Sequence, residues 1–281
     1  MSNLLTESQK NSLFRLLQDD DPPTLSLVKQ QLIGQGEGAV PELESWLKEV
    51  HGSAAEHHLI EVLNCLKHGH YHTEFLEFCA RAKADGHFSI EDASFLLAST
   101  EYCTTDMARY RAMLDNLAAE ARAQMTHEGT PSEIRALSFV LHEKVRFRGN
   151  RDRYYEAENT YLNRVLERKV GIPLTLSLLY LLVGNRLDMN IQGVALPGHF
   201  IVTWQEQFFD PFNHGRLLNV EACKQIVESR GQEFRTEYLS PTTPHQVLGR
   251  MLKNLARVYE IEEDRVRLAR IHKYLQALGA L

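Results

Sequence analysis

The sequence predicts an α+β protein that is predominantly helical. Apolar side chains recur at helical spacing near both ends of the chain, as in residues 59–66 and 247–258. Between these ends, residues 191–196 are β-rich and residues 199–204 alternate between apolar and polar side chains. The segment just before them, 173–184, is almost entirely apolar, which indicates a helix buried at the centre of a domain. We therefore expect a small antiparallel sheet packed on a central helix, with further helices on both sides.

Composition narrows the class of protein. The chain has 281 residues, with 43% hydrophobic and 24% charged, which is ordinary for a globular protein. A formal charge of −6 gives no general attraction to nucleic acid. We expect no signal peptide, and the longest apolar stretch, 174–183, is too short to span a bilayer. The four cysteines are scattered and form no Cys-x-x-Cys pair: Cys65, Cys79, Cys103 and Cys223. We therefore expect reduced thiols, as in a cytoplasmic protein.

The amino-terminal region, residues 1–86, predicts four short amphipathic helices separated by Gly- or Pro-containing turns. Two such helix pairs resemble HEAT-type repeats. Residues 67–72 contain three histidines, a composition that some metal sites share. Because no second ligand pair follows at a useful spacing, we interpret this segment as a solvated loop between two helices and expect no metal.

The central region, residues 87–238, begins with a capping-box pattern at Ser89 and Asp92, which predicts a helix through Leu97. Further helices are expected over 106–125 and 131–144. The Arg-rich segment 146–153 is interpreted as a solvated or ion-paired loop, although an anion or nucleic-acid contact is the alternative. A short helix over 159–167 follows. The carboxyl-terminal region, 239–281, predicts a pair of helices.

Two motifs after the central helix carry the candidate chemistry: Pro197-Gly198-His199-Phe200 and, eleven residues after the His, Asp210-Pro211-Phe212. A turn near residues 205–206 would return Asp210 to the side of His199, because facing residues of antiparallel strands lie close together. A thiol enzyme needs such a His and acid, together with a thiol at a helix amino terminus. The central helix begins at Gly171-Ile172-Pro173, so the expected position of the thiol holds a proline.

These motifs resemble those of a bacterial transglutaminase-like family of regulators of invasion-gene expression. The resemblance covers roughly residues 88–270 and includes, besides the motifs above, the runs 147–150, 154–155, 159–162 and 165–168. It implies a transglutaminase-like core, of the papain-like cysteine-protease type, followed by tetratricopeptide-like (TPR-like) helices. It also implies that His199 and Asp210 match the catalytic His and Asp of the superfamily, that Pro173 stands where the Cys would be, and that Asn159 caps its helix.

Proline is unsuited to acyl transfer for two reasons. It has no thiol, and it has no backbone N–H to donate to an oxyanion. It is, however, a favourable first residue for a helix. His199 and Asp210 then have a structural interpretation as well as a catalytic one. The candidate substitute nucleophiles are Thr175, Ser177 and Cys103, each of which also has a structural interpretation.

The sequence therefore predicts a non-catalytic, transglutaminase-fold protein that acts in the cytoplasm as a regulatory or protein-interaction module. Its partner is expected to be a protein or peptide, with no cofactor, nucleic acid or membrane involved. The alternative is an acyltransferase or amide hydrolase that uses His199 and Asp210 with a non-Cys nucleophile or activated water. The predicted binding groove surrounds His199 and comprises Asn159, Thr175, Gly198, Phe200 and Phe212.

Overall fold

The computed structural model describes residues 7–18, 21–103, 107–125 and 133–281. These residues form two compact units. One contains the described residues up to Phe75 together with 99–103, and the other contains 76–98 and the described residues from 107 onward. In the described part of the chain, no helix is both long enough and apolar enough to cross a membrane.

The first unit is helical. Its helices are α1 (Glu7–Leu17), α2 (Pro22–Ile33), α3 (Val40–Glu49) and the first two thirds of α4 (Ala54–Asp85). Apolar side chains from all four helices form one buried cluster, in which Leu17, Leu32, Trp46 and Leu59 are almost fully enclosed. The four amphipathic helices predicted for this region are therefore present, while their HEAT-like arrangement stays a prediction.

The prediction of a loop at residues 67–72 was wrong. This segment lies in the middle of α4, which runs for 32 residues without a break. A glycine inside a helix costs only about 1 kcal/mol relative to alanine, so Gly69 does not end it. Burial of Leu63 and Leu66 holds the helix before this segment, and His68 hydrogen-bonds through Nδ1 to the carbonyl of Thr100 at 3.2 Å.

The second unit surrounds one antiparallel sheet. Its helices are α5 (Ile90–Ser99), α6 (Met107–Met125), α7 (Glu133–Ser138), α8 (Leu162–Arg168), α9 (Pro173–Arg186), α10 (Val220–Glu228), α11 (Pro244–Ile261) and α12 (Arg265–Leu278). A two-stranded parallel pair joins β1 (Arg148–Gly149) to β2 (Val170–Gly171). The four-stranded sheet has the order β3 (Gln192–Val194), β4 (Ile201–Trp204), β5 (Gln207–Asp210), β6 (Arg216–Leu218).

The hairpin of β4 and β5 sets the register on which the site depends. Gln205 and Glu206 both have positive φ, as a two-residue hairpin turn requires. Val202 pairs with Phe209 and Trp204 with Gln207. Continuing this register places Asp210 opposite Ile201 and diagonal to His199, on the same face of the ribbon.

Helix α9 is the central helix expected from the sequence, since nearly every residue from Pro173 to Gly184 is buried. Its first turn is held by Thr175, whose Oγ1 accepts from the backbone N–H of Ile172 at 3.1 Å and donates to the carbonyl of Asn159 at 2.7 Å. Helix α9 packs against β3 and β4. The start of α9 is therefore fixed to the loop before α8 as well as to the sheet.

Several elements differ from the sequence expectations. The helix predicted over 131–144 is α7 followed by a π-helical turn (Phe139–Lys144), and residues 131–132 lie outside the described residues. The predicted Arg-rich loop contains β1, which pairs with β2 because Arg148 donates its backbone N–H to Lys169 and Asn150 donates to Gly171. Strand β6 and helix α10 were not predicted.

The carboxyl-terminal helix pair is present as α11 and α12, and its TPR-like character stays a prediction. These helices belong to the second compact unit with the core. Tyr259 of α11 hydrogen-bonds to Tyr161 at 2.8 Å, and Met251 accepts from Ser94 at 3.7 Å. Compactness thus gives two units, whereas the division into 1–86, 87–238 and 239–281 is one of sequence pattern and stays a prediction.

Candidate functional site

His199 and Asp210 form a buried hydrogen-bonded pair. Nε2 of His199 lies 2.9 Å from Oδ2 of Asp210, and both side chains are less than a tenth exposed. The turn at residues 205–206 brings β5 back beside β4, as expected from the sequence. Gly198, which precedes the histidine, has a φ of +70°, a conformation that glycine adopts without strain.

The Asp210 carboxylate is fully occupied by donors. Besides His199, Oδ2 accepts from Nδ2 of Asn213 at 2.7 Å. Oδ1 accepts the backbone N–H groups of Phe212 and Asn213 at 3.0 and 3.3 Å, which caps the short helical turn Pro211–Asn213. Burial opposes ionisation of Asp210, but these donors outweigh it and hold the pKa of the carboxyl below its usual range. Asp210 therefore orients both the imidazole and the turn that follows β5.

A cavity of about 810 Å³ opens beside this pair. His199 and Asp210 line it from the sheet, Pro173 lines it from the first turn of α9, and α10 and α11 supply two further walls. Phe212 packs edge-on against the His199 ring, with ring centroids 6.1 Å apart. The helix start and the His–Asp pair thus face one space, which is the arrangement a thiol enzyme uses.

None of the described residues that line this cavity is a cysteine. Cys223 of α10 is buried in an apolar cluster with side chains of the sheet, among them Val194 and Ile201. Burial, and after it the charge of Asp210, raises the pKa of the Cys223 thiol to about 11. At neutral pH Cys223 is therefore a thiol and not a thiolate. Cys103 belongs to the first unit and donates to Asn64 at 3.5 Å, and burial raises its pKa as well.

The hydroxyl candidates do not reach the cavity. Thr175 is buried and uses its Oγ1 to hold the start of α9. Ser177 is buried one half-turn further on and donates to the carbonyl of Phe200 at 3.3 Å. Both hydroxyls therefore act within the core, and neither lines the cavity with His199.

The residues of the predicted groove occupy different places in the structure. Gly198 and Phe212 line the cavity. Asn159, Thr175 and Phe200 are buried and do not line it, since Asn159 and Thr175 hydrogen-bond within the core and Phe200 packs there. Asn159 does not cap a helix, as its Nδ2 donates to the carbonyls of Arg153 and Tyr154 at 2.7 and 3.1 Å and thereby closes the Arg-rich loop.

The sequence interpretation missed the arginines of the cavity. Five arginines from separate parts of the chain line it: Arg151, Arg216, Arg230, Arg250 and Arg257. Only Arg151 belongs to the segment that had suggested an anion contact. A signal for α10 was present, since Asn219 followed by Cys223, Ile226 and Val227 has the cap and spacing of an amphipathic helix, and Asn219 does accept from Ala222 N–H at 2.8 Å. No local pattern in the sequence indicated that these arginines line one cavity.

The central helix, the meander sheet packed on it and the His–Asp pair across a hairpin define a transglutaminase-like core. In agreement with this, the model of the transglutaminase-like superfamily matches residues 108–253. The chain belongs to the transglutaminase-like superfamily. The narrower resemblance to regulators of invasion-gene expression stays a prediction.

Several curated proteins are similar to this chain. A UPF0162 protein of Xylella fastidiosa (strain 9a5c) is 31% identical over 177 residues, which cover 59% of this chain and 63% of that protein. A UPF0162 protein of Vibrio cholerae is 24% identical over 202 residues, covering 69% and 72%. F-box only protein 21 of Mus musculus is 32% identical over 150 residues, covering 49% of this chain and 23% of that protein. No solved structure matches the chain.

Proposed function

We propose that this chain is a non-catalytic member of the superfamily that binds a partner protein or peptide in the cavity beside His199, as a regulatory or interaction module of the cytoplasm. The observation that carries the proposal is Pro173. It occupies the first turn of α9 and lines the cavity with His199, where a thiol enzyme needs its nucleophile. Neither the Cys223 thiol nor the Thr175 and Ser177 hydroxyls line the cavity.

The remaining groups support a structural role for the pair. Asp210 accepts hydrogen bonds from the Asn213 side chain and from the backbone of the turn after β5, and these donors would otherwise lose this acceptor. Such a carboxylate stabilises the fold whether or not a reaction takes place. A cavity of about 810 Å³ with aromatic and apolar wall residues is of a size that holds several residues of a peptide.

One observation favours the alternative, an amide hydrolase that uses activated water. Nδ1 of His199 has no hydrogen-bond partner among the described residues, and His199 lines the cavity. This nitrogen is therefore available to a water or substrate. A screen of amide and ester substrates distinguishes the two functions, because turnover that disappears in His199→Ala would establish hydrolysis and overturn the binding-only proposal.

Binding is tested by selecting peptides from a random displayed library on the full chain. The selected peptides are then measured against Gln225→Trp, in which a bulky ring enters the cavity from an exposed position of α10. Gln276→Trp, on the exposed face of α12, is the matched control. We expect binding to be lost in the first variant and kept in the second. Selected peptides that bind both variants equally, or a selection that enriches none, would contradict the proposal.

A further inference from the structure

The charge on the cavity wall is strongly one-sided. Five arginines line it, and Asp210, the one carboxylate among its described lining residues, is already bonded to His199 and Asn213. The chain as a whole has a charge of −6. The positive charge is therefore a local property of this cavity and not a consequence of composition.

Most of these guanidinium groups lack an acidic partner in the described part of the chain. Arg257 pairs with Glu260 at 2.7 Å. Arg151 donates to Asn213 and lies over the Phe212 ring, 5.1 Å from its centroid. Arg250 donates to the carbonyl of Leu196 at 3.5 Å. The side chains of Arg216 and Arg230 have neither a carboxylate nor a carbonyl partner among the described residues.

Two of the arginines are held in place by the fold. The aliphatic part of the Arg230 side chain packs on Gly198. A Cβ added to Gly198 would lie only 3.0 Å from the Cγ of Arg230. Arg250 is half-buried, and this burial lowers the pKa of its guanidinium. A half-buried cation without a counter-ion is costly, so an anion at this position would be stabilised.

The positions of the arginines indicate several anionic groups in the ligand. Arg250 and Arg257 are seven residues apart on α11, which places them about 10 Å apart along the helix axis. Arg216 extends the cationic wall from β6, and Arg230 extends it from the end of α10. One phosphate would be gripped by guanidinium groups that converge on one point. Charges spread over about 10 Å instead match carboxylates three residues apart on an extended chain, at ~3.3 Å per residue.

Aromatic and apolar side chains lie between these charges. The same cavity is lined by Tyr154, Phe212, Leu218 and Ile226. Tyr154 interacts electrostatically with the positive charges of Arg250 and Arg230. A purely electrostatic site for a small anion would not need such a surface. An apolar or aromatic side chain of a peptide, flanked by carboxylates, would fill it.

We propose that the cavity binds an acidic peptide segment, with two or more carboxylates along an extended chain and an apolar or aromatic side chain between them. This inference rests on the proposed function, because it names the chemistry of the partner at the same site. Arg216 and Arg230 pair with ligand carboxylates, Arg250 pairs with the innermost one, and the Tyr154–Phe212 surface takes the apolar side chain.

The test uses the peptides selected on the full chain, together with analogues in which every carboxylate is replaced by its amide. Fluorescence anisotropy is measured with wild type, Arg216→Ala, Arg230→Ala and the double variant. Both residues are exposed, so these variants are expected to fold. Arg265→Ala, an exposed arginine on α12 that does not line the cavity, is the control. Inorganic pyrophosphate is added as a competitor.

We expect the selected peptides to be enriched in Asp and Glu. Each single variant should weaken binding about fivefold and the double variant more than twentyfold, while Arg265→Ala changes it less than twofold. Binding should also weaken with salt, because these charges are accessible to ions.

Three results would overturn the inference. Peptides that bind in the cavity but are neutral or basic, or that keep their affinity in the double variant, would contradict the acidic ligand and leave the proposed function standing. Displacement by pyrophosphate at concentrations well below those of the peptides would assign the arginines to a phosphate compound. Selected peptides that are insensitive to Gln225→Trp would overturn both the proposed function and this inference.

Discussion

Removing the Asp210 carboxylate should destabilise the protein strongly, whether or not the site is catalytic. Asp210→Ala leaves a buried imidazole, two backbone N–H groups and the Asn213 amide without their acceptor. Leaving a buried hydrogen-bond donor without its acceptor costs about 1–3 kcal/mol. Each hydrogen bond to a charged group contributes about 1.5–3 kcal/mol, so the loss of several such bonds costs more than the loss of one alone. We therefore expect a loss of about 4 kcal/mol in the free energy of unfolding.

The measurement is urea unfolding followed by far-UV circular dichroism at neutral pH. Asp264→Ala is a suitable control, because Asp264 caps α12 through the N–H of Arg267 at a partly exposed position. Removing that cap should cost about 1 kcal/mol. Asp210→Asn keeps an acceptor for the turn and should lose less than the alanine variant. If Asp210→Ala lost no more unfolding free energy than Asp264→Ala, the buried carboxylate would not stabilise the hairpin and the turn after it.

Three further predictions concern the same region. The folded-state pKa of Asp210 is lowered, so the stability that this carboxylate contributes is present above its unfolded-state pKa of about 4 and is lost as the pH falls further. Asp210→Asn should therefore flatten the decrease of unfolding free energy in acid, measured by urea titrations from pH 6 to 2.5. Pro173→Cys, made in a Cys65→Ser background, places a thiol at a helix start beside arginines. The rate of its alkylation by iodoacetamide, followed by mass spectrometry, should rise with pH with a midpoint below pH 8. A midpoint above pH 9 would contradict the positive potential of the cavity. Gly198→Ala forces alanine into a positive φ and against Arg230, so its thermal midpoint should fall by the equivalent of about 1–2 kcal/mol, whereas Gly69→Ala in α4 should raise it.

The His–Asp pair could be predicted from the sequence because its geometry follows from local rules. Alternation after His199 predicts a strand, and the short polar interval at residues 205–206 predicts a tight turn. A separation of eleven positions from His199 to Asp210 then leaves one register that brings the two side chains together. The buried central helix was equally predictable, since a segment that is apolar on all sides has no solvent-facing surface.

The parts that could not be predicted depend on contacts between distant segments. Asn159 is of a residue type that often caps helices, but its amide instead closes a loop by donating to the carbonyls of Arg153 and Tyr154. The glycine and histidines of residues 67–72 have the composition of a loop, but burial of Leu63 and Leu66 before them and of Phe75 after them keeps them helical. The arginine cluster draws on β6, α11, the turn after α10 and the loop at Arg151, and no single segment shows it.

Pro173 and the arginines together support binding over catalysis more strongly than either does alone. A thiol enzyme needs positive charge near its helix start, because that charge stabilises the thiolate. Here positive charge lines the cavity that Pro173 and His199 share, but the residue at the helix start can provide no anion. Asp210 supplies only one negative charge against five guanidinium groups, and four donors already occupy its oxygens. The cavity wall therefore carries an excess of positive charge, which favours the proposed acidic ligand.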